Sequence, residues 1–237
     1  MTIELHDVMK KVRQGSVRLT YKDVNMRIEE KSRMALLGHS SSGLDFIVDL
    51  ICGADAPDKG VVRRSHSVSW AIPEIKYVHK HLPLVAAVRF IARLYEIDEK
   101  AFLARVLEQA QVGEVANLRV DRCPREVVSR LAFCIGTSLP FDQYILKTLG
   151  SKEDRERNME TVNQLAERAG LLFVTSDVKT AKQFCTEAYV FDEGRVTYFD
   201  NMDAAAEFFS KAAGDDDVED DFFDAEQDLQ DLVNVDF

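Results

Sequence analysis

The most constraining feature of this sequence is an apolar segment followed by a loop that begins and ends with glycine. Residues 33–37 (Arg-Met-Ala-Leu-Leu) have the composition of a buried strand, and residues 38–43 (Gly-His-Ser-Ser-Ser-Gly) form the loop. Apolar side chains then recur at helical spacing over residues 44–51. A strand, a glycine-bounded loop and a helix in this order are typical of a loop that binds phosphate.

The remainder of the chain predicts an α/β fold. Helical patterns cover residues 84–139, and short strands and helices alternate from there to residue 199. This alternation is typical of a parallel sheet covered by helices, into which a helical lobe at about 84–139 is inserted. We therefore expect one folded domain over residues 1–213 and a separate tail over residues 214–237.

The charge of the chain is concentrated in that tail. Residues 214–237 contain 11 of the 41 acidic residues and no Lys or Arg, so the remaining 30 acidic residues balance the 30 basic ones. A block of like charges repels itself and cannot bury a core, which predicts a disordered tail. A neutral domain and an acidic tail both exclude nucleic acid as an expected ligand.

The tail also carries hydrophobic residues between its acidic ones, which favours a role in binding. A segment that is both acidic and hydrophobic can become ordered on a basic, grooved partner. Two alternatives stay open: the tail is solvated and binds nothing, or it folds back over its own domain. The hydrophobic tail residues are Phe222, Phe223, Leu229, Leu232, Val233 and Phe237.

Composition and spacing exclude several other classes of site. The four cysteines and five histidines show no metal-type spacing, so we expect no metal site. The longest apolar runs are a few residues long, far below the roughly 20 that a membrane-spanning helix needs. No export signal is visible at the N-terminus, and the expected location is the cytoplasm.

Four further segments carry a specific resemblance to a known family. They are residues 53–60 (Gly-Ala-Asp-Ala-Pro-Asp-Lys-Gly), 68–70 (Val-Ser-Trp), 88–95 (Val-Arg-Phe-Ile-Ala-Arg-Leu-Tyr) and 130–133 (Arg-Leu-Ala-Phe). With them, the chain from about Ile3 to Phe209 resembles the ATP-binding subunit of capsule polysaccharide export ABC transporters. The resemblance implies a P-loop NTPase fold of the ABC nucleotide-binding-domain type. It also implies a peripheral position on the cytoplasmic face of the inner membrane, beside a permease.

The glycine loop departs from the family pattern GxxxxGK[ST] at its two chemical positions. Gly38 and Gly43 are kept, with Ser41 between them, but Leu44 replaces the lysine and Asp45 replaces the hydroxyl residue. A carboxylate close to a triphosphate is repelled by about 4 kcal/mol at an intermediate dielectric constant. The resemblance therefore implies the shape of the loop without its phosphate and magnesium ligands.

The other family motifs depart in the same way. The strand at residues 144–146 should be followed by Asp and Glu, and Lys147 and Thr148 follow instead. The resemblance places Val12 at the position of the aromatic residue that stacks on adenine, with Tyr21 as a candidate substitute. The other degenerate positions are His79 for a glutamine, Glu126 for the signature glycine and Ser176 for the switch histidine.

Two of these substitutions predict a contact with each other. In a working site the loop hydroxyl and the strand-end Asp both bind magnesium, and here these positions hold Asp45 and Lys147. We therefore predict an ion pair between them in the place of the metal. Asp45 also lies in the first turn of a helix, where the helix dipole favours a carboxylate.

The leading functional hypothesis is a pseudo-ATPase that uses no ATP or magnesium and acts as a docking or regulatory subunit. A polysaccharide-export permease is its implied partner, with His79–Tyr95 in the docking groove. One alternative is a weak ATP-binding partner of an intact, paralogous ABC ATPase in a heterodimer, which would use ATP and magnesium. The other is a free cytoplasmic interaction protein that uses its acidic tail on a basic partner.

Overall fold

The computed structural model describes residues 1–14, 17–39, 42–74, 79–192 and 194–212, without the side chains of residues 12–19 and 212. Ser41 and the acidic tail, with the predictions made for them, lie outside the described residues. The strands are β1 (Thr2–Gln14), β2 (Val17–Glu29), β3 (Arg33–Leu37), β4 (Lys59–Arg64), β5 (Val68–Ile72), β6 (Gln143–Leu146), β7 (Gly170–Thr175), β8 (Glu187–Asp192) and β9 (Arg195–Phe199). The helices are α1 (Leu44–Cys52), α2 (Leu84–Leu94), α3 (Glu99–Ala110), α4 (Arg125–Ser138), α5 (Arg155–Ala166), α6 (Val178–Phe184) and α7 (Met202–Ala212).

A mixed sheet carries the glycine loop. Its strand order is β5-β6-β7-β3-β8-β9, in which β6, β7, β3 and β8 run parallel and β9 returns antiparallel to β8. Every residue of β6 and β7 is buried, as expected for strands that have both faces covered. The carboxyl ends of β6, β7 and β3 therefore meet at one edge of the sheet, which is where ligands bind in α/β proteins.

A second, antiparallel sheet is built from a long hairpin. Its order is β2-β1-β4, and β1 pairs with β2 from Thr2↔Glu29 to Gln14↔Val17. The inward residues of the hairpin, among them Ile3, Leu5 and Ile28, pack in one core with the apolar face of α1. This packing holds the hairpin against the helix that follows the glycine loop.

The chain divides into two compact units. The first contains Met1–Ala71, Phe141–Thr148 and the described residues of Glu160–Phe222, and so includes both sheets. The second contains Ile72–Pro140 and Leu149–Met159, and so includes α2, α3 and α4.

The second unit is held together by helix packing and by one buried carboxylate. Leu84, Val88 and Ile91 on α2 follow helical spacing and are buried. Asp154 is 5% exposed and accepts hydrogen bonds from Arg130 at 3.0 Å and from Arg157 at 2.6 Å. The two guanidinium partners compensate the buried carboxylate for the solvation that it loses on folding.

Three elements differ from the sequence expectations. The sequence pattern predicts a first strand from Thr2 to Val8, but β1 continues to Gln14 because the ladder with β2 pairs backbone groups whatever the polarity of the side chains. The charged segment 153–169 predicts a helix over its whole length, and the helix in the structure is shorter, at Arg155–Ala166. α7 was not predicted from the sequence. Among the described helices, none combines the length and apolar content needed to cross a bilayer.

Candidate functional site

The two ends of the glycine loop that the structure describes depend on glycine. Gly38 follows β3 and donates its N–H to the Thr175 carbonyl at 3.4 Å, so the loop starts at the end of β7. A Cβ at Gly38 would lie 2.6 Å from Ser42 Oγ, closer than real side chains approach. Gly43, the N-cap of α1, has φ +69°, a left-handed conformation that glycine adopts without strain.

Tyr21 fastens the β1–β2 hairpin to this loop. Its ring is fully buried, and its hydroxyl donates a short hydrogen bond to the Ser42 carbonyl. Burial raises the pKa of Tyr21 to about 12, with a smaller contribution from the Asp192 carboxylate and an opposing one from the hydrogen bond to Ser42. The interpretation of Tyr21 as a platform for adenine is therefore wrong, because neither face of the ring is accessible. The Val12 side chain lies outside the described residues.

Leu44 points into the core of the protein. It is 7% exposed and belongs to the apolar cluster that includes Ile47 and Met34. Its Cδ2 also lies 3.4 Å from the position of a Cβ at Gly38, so it fills the space beneath the loop. In the motif this residue is the lysine that reaches the β and γ phosphates, whereas here the side chain is structural.

Asp45 and Lys147 are in contact at the edge of the sheet. Lys147 Nζ lies 2.7 Å from Asp45 Oδ1, well within salt-bridge distance. The Lys147 side chain is 5% exposed and that of Asp45 is 51% exposed, so the ammonium group is buried and the carboxylate faces solvent. The pair joins the first turn of α1 to the end of β6, the two elements that hold magnesium in a phosphate-loop enzyme.

This arrangement does not fit a magnesium ion with a nucleotide. In a working site, these two positions give the metal a hydroxyl and a carboxylate. Here they hold the Asp45 carboxylate and the buried Lys147 ammonium group, which already neutralise each other. A divalent cation next to the Lys147 ammonium would be repelled, and a triphosphate next to Asp45 would be repelled as well. The residues present therefore fill the metal position with an internal ion pair.

The other predicted positions fall into two groups. Thr148 and Ser176 belong to the first unit, are partly buried and follow β6 and β7, near the same edge of the sheet as Lys147. His79 and Glu126 belong to the second unit and are exposed. His79 contacts the ring of His81, and Glu126 lies in the first turn of α4. The structure thus brings the loop and strand-end residues together and places His79 and Glu126 on a different unit.

Lys10 is committed to contacts outside the glycine loop. The sequence offers it as a conceivable replacement for the missing phosphate lysine, but its Nζ donates to the Ala56 carbonyl at 2.7 Å and pairs with Asp55 Oδ2 at 2.5 Å. Its hydrogen bond is also the main reason that the pKa of Asp55 is lowered. Within the described ranges, no group of three or more His, Cys, Asp and Glu residues could hold a metal ion.

One contact of the loop was missed by the sequence analysis. The exposed ring of His39 stacks on Phe209 of α7, with ring centroids 4.6 Å apart and an angle of 16° between the planes. The sequence carried a signal for α7 but not for this stack, since Met202, Ala205 and Phe209 recur at helical spacing and are buried in the structure. The C-terminal helix therefore ends beside the glycine loop.

Comparison of sequences finds ATP-binding proteins of transport systems, several of them named for export or transport of polysaccharides. No family model matches the chain. The chain is 24% identical over 213 residues to the ATP-binding protein BexA of Haemophilus influenzae, a match that covers 88% of this chain and 98% of that protein. It is 26% identical over 201 residues to the capsule polysaccharide export ATP-binding protein CtrD of Neisseria meningitidis, covering 84% and 93%. It is 25% identical over 207 residues to the polysialic acid transport ATP-binding protein KpsT of Escherichia coli, covering 84% and 92%.

Comparison of structures gives the fold. The ATP-binding subunit of an ABC transporter superimposes with a TM-score of 0.72 at 17% identity, covering 98% of this chain and all of the other. The dimeric ABC transporter cassette MJ0796 superimposes with a TM-score of 0.69 at 18% identity, covering 82% and 96%. The chain is therefore a relative of the ATP-binding subunits of capsule polysaccharide export ABC transporters, and it has the fold of an ABC ATPase cassette.

Proposed function

We propose that this chain is a pseudo-ATPase of the polysaccharide-export type, which keeps the ABC cassette as a docking or regulatory subunit and uses neither ATP nor magnesium. The observation that carries the proposal is the 2.7 Å contact between Lys147 Nζ and Asp45 Oδ1. It puts a cation and an anion of the protein itself where relatives of this fold hold a metal. The inward orientation of Leu44 supports the same conclusion, because it removes the lysine contact to phosphate.

The implied partner is the membrane permease of a polysaccharide exporter. Relatives over most of the chain carry names of export and transport ATP-binding proteins, which supports this partner class. The proposed position is peripheral, on the cytoplasmic face of the membrane. A docking role requires the cassette fold and its surface, and both can persist without nucleotide chemistry.

A second candidate is the weak half of a heterodimer with an intact ATPase. The retained conformations of Gly38 and Gly43 favour it, because the loop could still contact a nucleotide held mainly by the partner. Asp45 argues against this candidate, because its half-exposed negative charge would repel that nucleotide. The third candidate, an interaction protein acting through its tail, rests on the tail composition alone.

Hydrolysis measurements distinguish these candidates. The purified chain is assayed for phosphate release from MgATP, alone and mixed with an intact subunit such as CtrD. The proposal predicts no hydrolysis by the chain alone and no ATP-dependent complex between the two proteins on size exclusion. Hydrolysis by the chain alone would overturn the proposal, and a complex that forms only with ATP would replace it by the heterodimer.

A further inference from the structure

Two strands hold the described ends of the glycine loop. Tyr21 of β2 donates its hydroxyl to the Ser42 carbonyl. Phe191 of β8 lies against Gly38, with its Cβ 3.4 Å from the position of a Cβ there. β2 is paired with β1, and β8 is paired with β3 and β9. These two contacts therefore cannot be released unless the backbone ladders of the sheets break.

A third contact to the loop comes from α7. Phe209 stacks on the ring of His39 and is 5% exposed. The His39 carbonyl accepts a hydrogen bond from the Ser42 N–H at 2.9 Å, so His39 joins the two described sides of the loop. The stack therefore connects the helix to the segment that leads into α1.

α7 is attached to the rest of the first unit through one of its faces. Met202, Ala205 and Phe209 are buried, whereas Ala204 and Phe208 are exposed. A helix makes its backbone hydrogen bonds within itself, so α7, unlike a strand, can leave the fold without breaking a ladder. Elements held by few buried contacts open at a lower free energy than the strands of the core.

We propose that α7 is a strap on the glycine loop, which holds the loop while the helix is docked and frees it when the helix undocks as a unit. When α7 is docked, the stack fixes His39 and, through the hydrogen bond between them, Ser42. Undocking removes the stack and leaves the strand contacts at Gly38 and at the Ser42 carbonyl in place. The strap acts on the loop whether or not a nucleotide binds, so this inference goes beyond the proposed function.

Native-state amide exchange of the full chain tests the proposal at residue resolution. The amides to follow are that of Ser42, which donates to His39, and those of α7, with the β7 amides as reporters of the sheet. We expect the α7 amides and Ser42 to open together, at least about tenfold more often than the β7 amides. Different opening rates for α7 and Ser42 would overturn the proposal, and so would opening of both only together with β7.

Forced undocking of the helix gives a second comparison. Ala205→Glu places a carboxylate on the buried face of α7, and Ala204→Glu places it on the exposed face one residue away. We expect Ala205→Glu to speed exchange of the Ser42 amide at least about tenfold while the β7 amides stay within about twofold, and Ala204→Glu to leave Ser42 unchanged. An unchanged Ser42 in a folded Ala205→Glu chain whose α7 amides exchange freely would overturn the proposal.

A milder pair of variants decides the case in which Ala205→Glu does not fold. Phe209→Ala removes the stack on His39, and Phe208→Ala removes the exposed neighbour that contacts β9. Loss of one aromatic stack predicts roughly fivefold faster exchange of Ser42 in Phe209→Ala and less than about twofold in Phe208→Ala. Circular dichroism checks that both variants are folded. Equal exchange of Ser42 in the two variants would overturn the proposal.

Discussion

The interior of the large sheet and the carboxyl ends of its strands carry different kinds of residues. β6 and β7 are buried at every position, and the chain superimposes on ABC cassettes over most of its length. At that edge, Leu44 and Asp45 at the start of α1 and Lys147 after β6 stand where the motif has lysine, a hydroxyl residue and a metal ligand. The first region keeps what the fold requires, and the second lacks what phosphate chemistry requires.

The difference shows that the shape of a phosphate loop is specified separately from its chemistry. Gly38, Gly43 and the Tyr21–Ser42 contact position the two described ends of the loop, and none of them requires a ligand. The side chains that would bind phosphate and metal instead serve the fold, Leu44 as core and Asp45 with Lys147 as an ion pair. The predictions below test whether these side chains are now structural.

The largest effect on stability is expected at Leu44. Leu44→Lys should lower the free energy of unfolding by about 3 kcal/mol, because it removes core packing and brings an ammonium group towards an apolar site. Leu44→Met keeps the volume and should cost below about 1.5 kcal/mol. Urea unfolding measures both variants. Equal, small losses would mean that position 44 is not part of the core.

The two partners of the ion pair should contribute unequally. Asp45→Asn leaves the buried Lys147 ammonium without this counter-charge and should cost about 2 kcal/mol, below the range for fully buried pairs because Asp45 is 51% exposed. Lys147→Met leaves only a carboxylate that water can solvate, and it should cost less than Asp45→Asn. Urea unfolding of the two single variants and of the double variant gives the coupling energy. A larger cost for Lys147→Met, or a coupling of zero, would contradict the pair.

Removal of the Tyr21 hydroxyl should have a smaller effect. Tyr21→Phe keeps the ring in the core and deletes only the hydrogen bond to Ser42, which is worth about 1 kcal/mol. Tyr198→Phe is the matched control, because the Tyr198 hydroxyl bonds Glu187 on an exposed face away from the core. Amide exchange should show faster opening of α1 and the loop in Tyr21→Phe alone. Equal exchange in the two variants would show that Tyr21 does not hold the loop.

The last effect is confined to a narrow range of alkaline pH. The pKa of Tyr21 rises to about 12 in the folded chain, so folding favours its neutral form. The stabilisation is complete below the unfolded pKa near 10 and is lost as pH rises from 10 towards 12. Tyr21→Phe lacks this contribution, so the stability difference between the parent chain and the variant should shrink across that window. A difference that is constant from pH 9 to pH 11.5 would contradict the assigned pKa.

Local patterns predicted the scaffold, and contacts between distant elements account for what they missed. The runs of β3 and β7 are apolar because both sheet faces are covered, and such runs are visible in the sequence. The contact between Asp45 and Lys147 could be predicted because the family motif fixes the positions of both residues. The inward direction of Leu44, the Tyr21–Ser42 bond and the His39–Phe209 stack arise from packing between elements far apart in sequence, which periodicity does not reveal.

Calorimetric titration with MgATP tests the central claim most directly, namely that an internal ion pair has replaced the metal. The native chain is compared with a variant that carries Leu44→Lys, Asp45→Ser, Lys147→Asp and Thr148→Glu, its folding checked by circular dichroism. An intact relative such as BexA serves as the positive control. The account predicts no heat of binding for the native chain up to about 1 mM MgATP, and measurable binding once the motif residues are restored in a folded chain. Micromolar binding of MgATP by the native chain would contradict it.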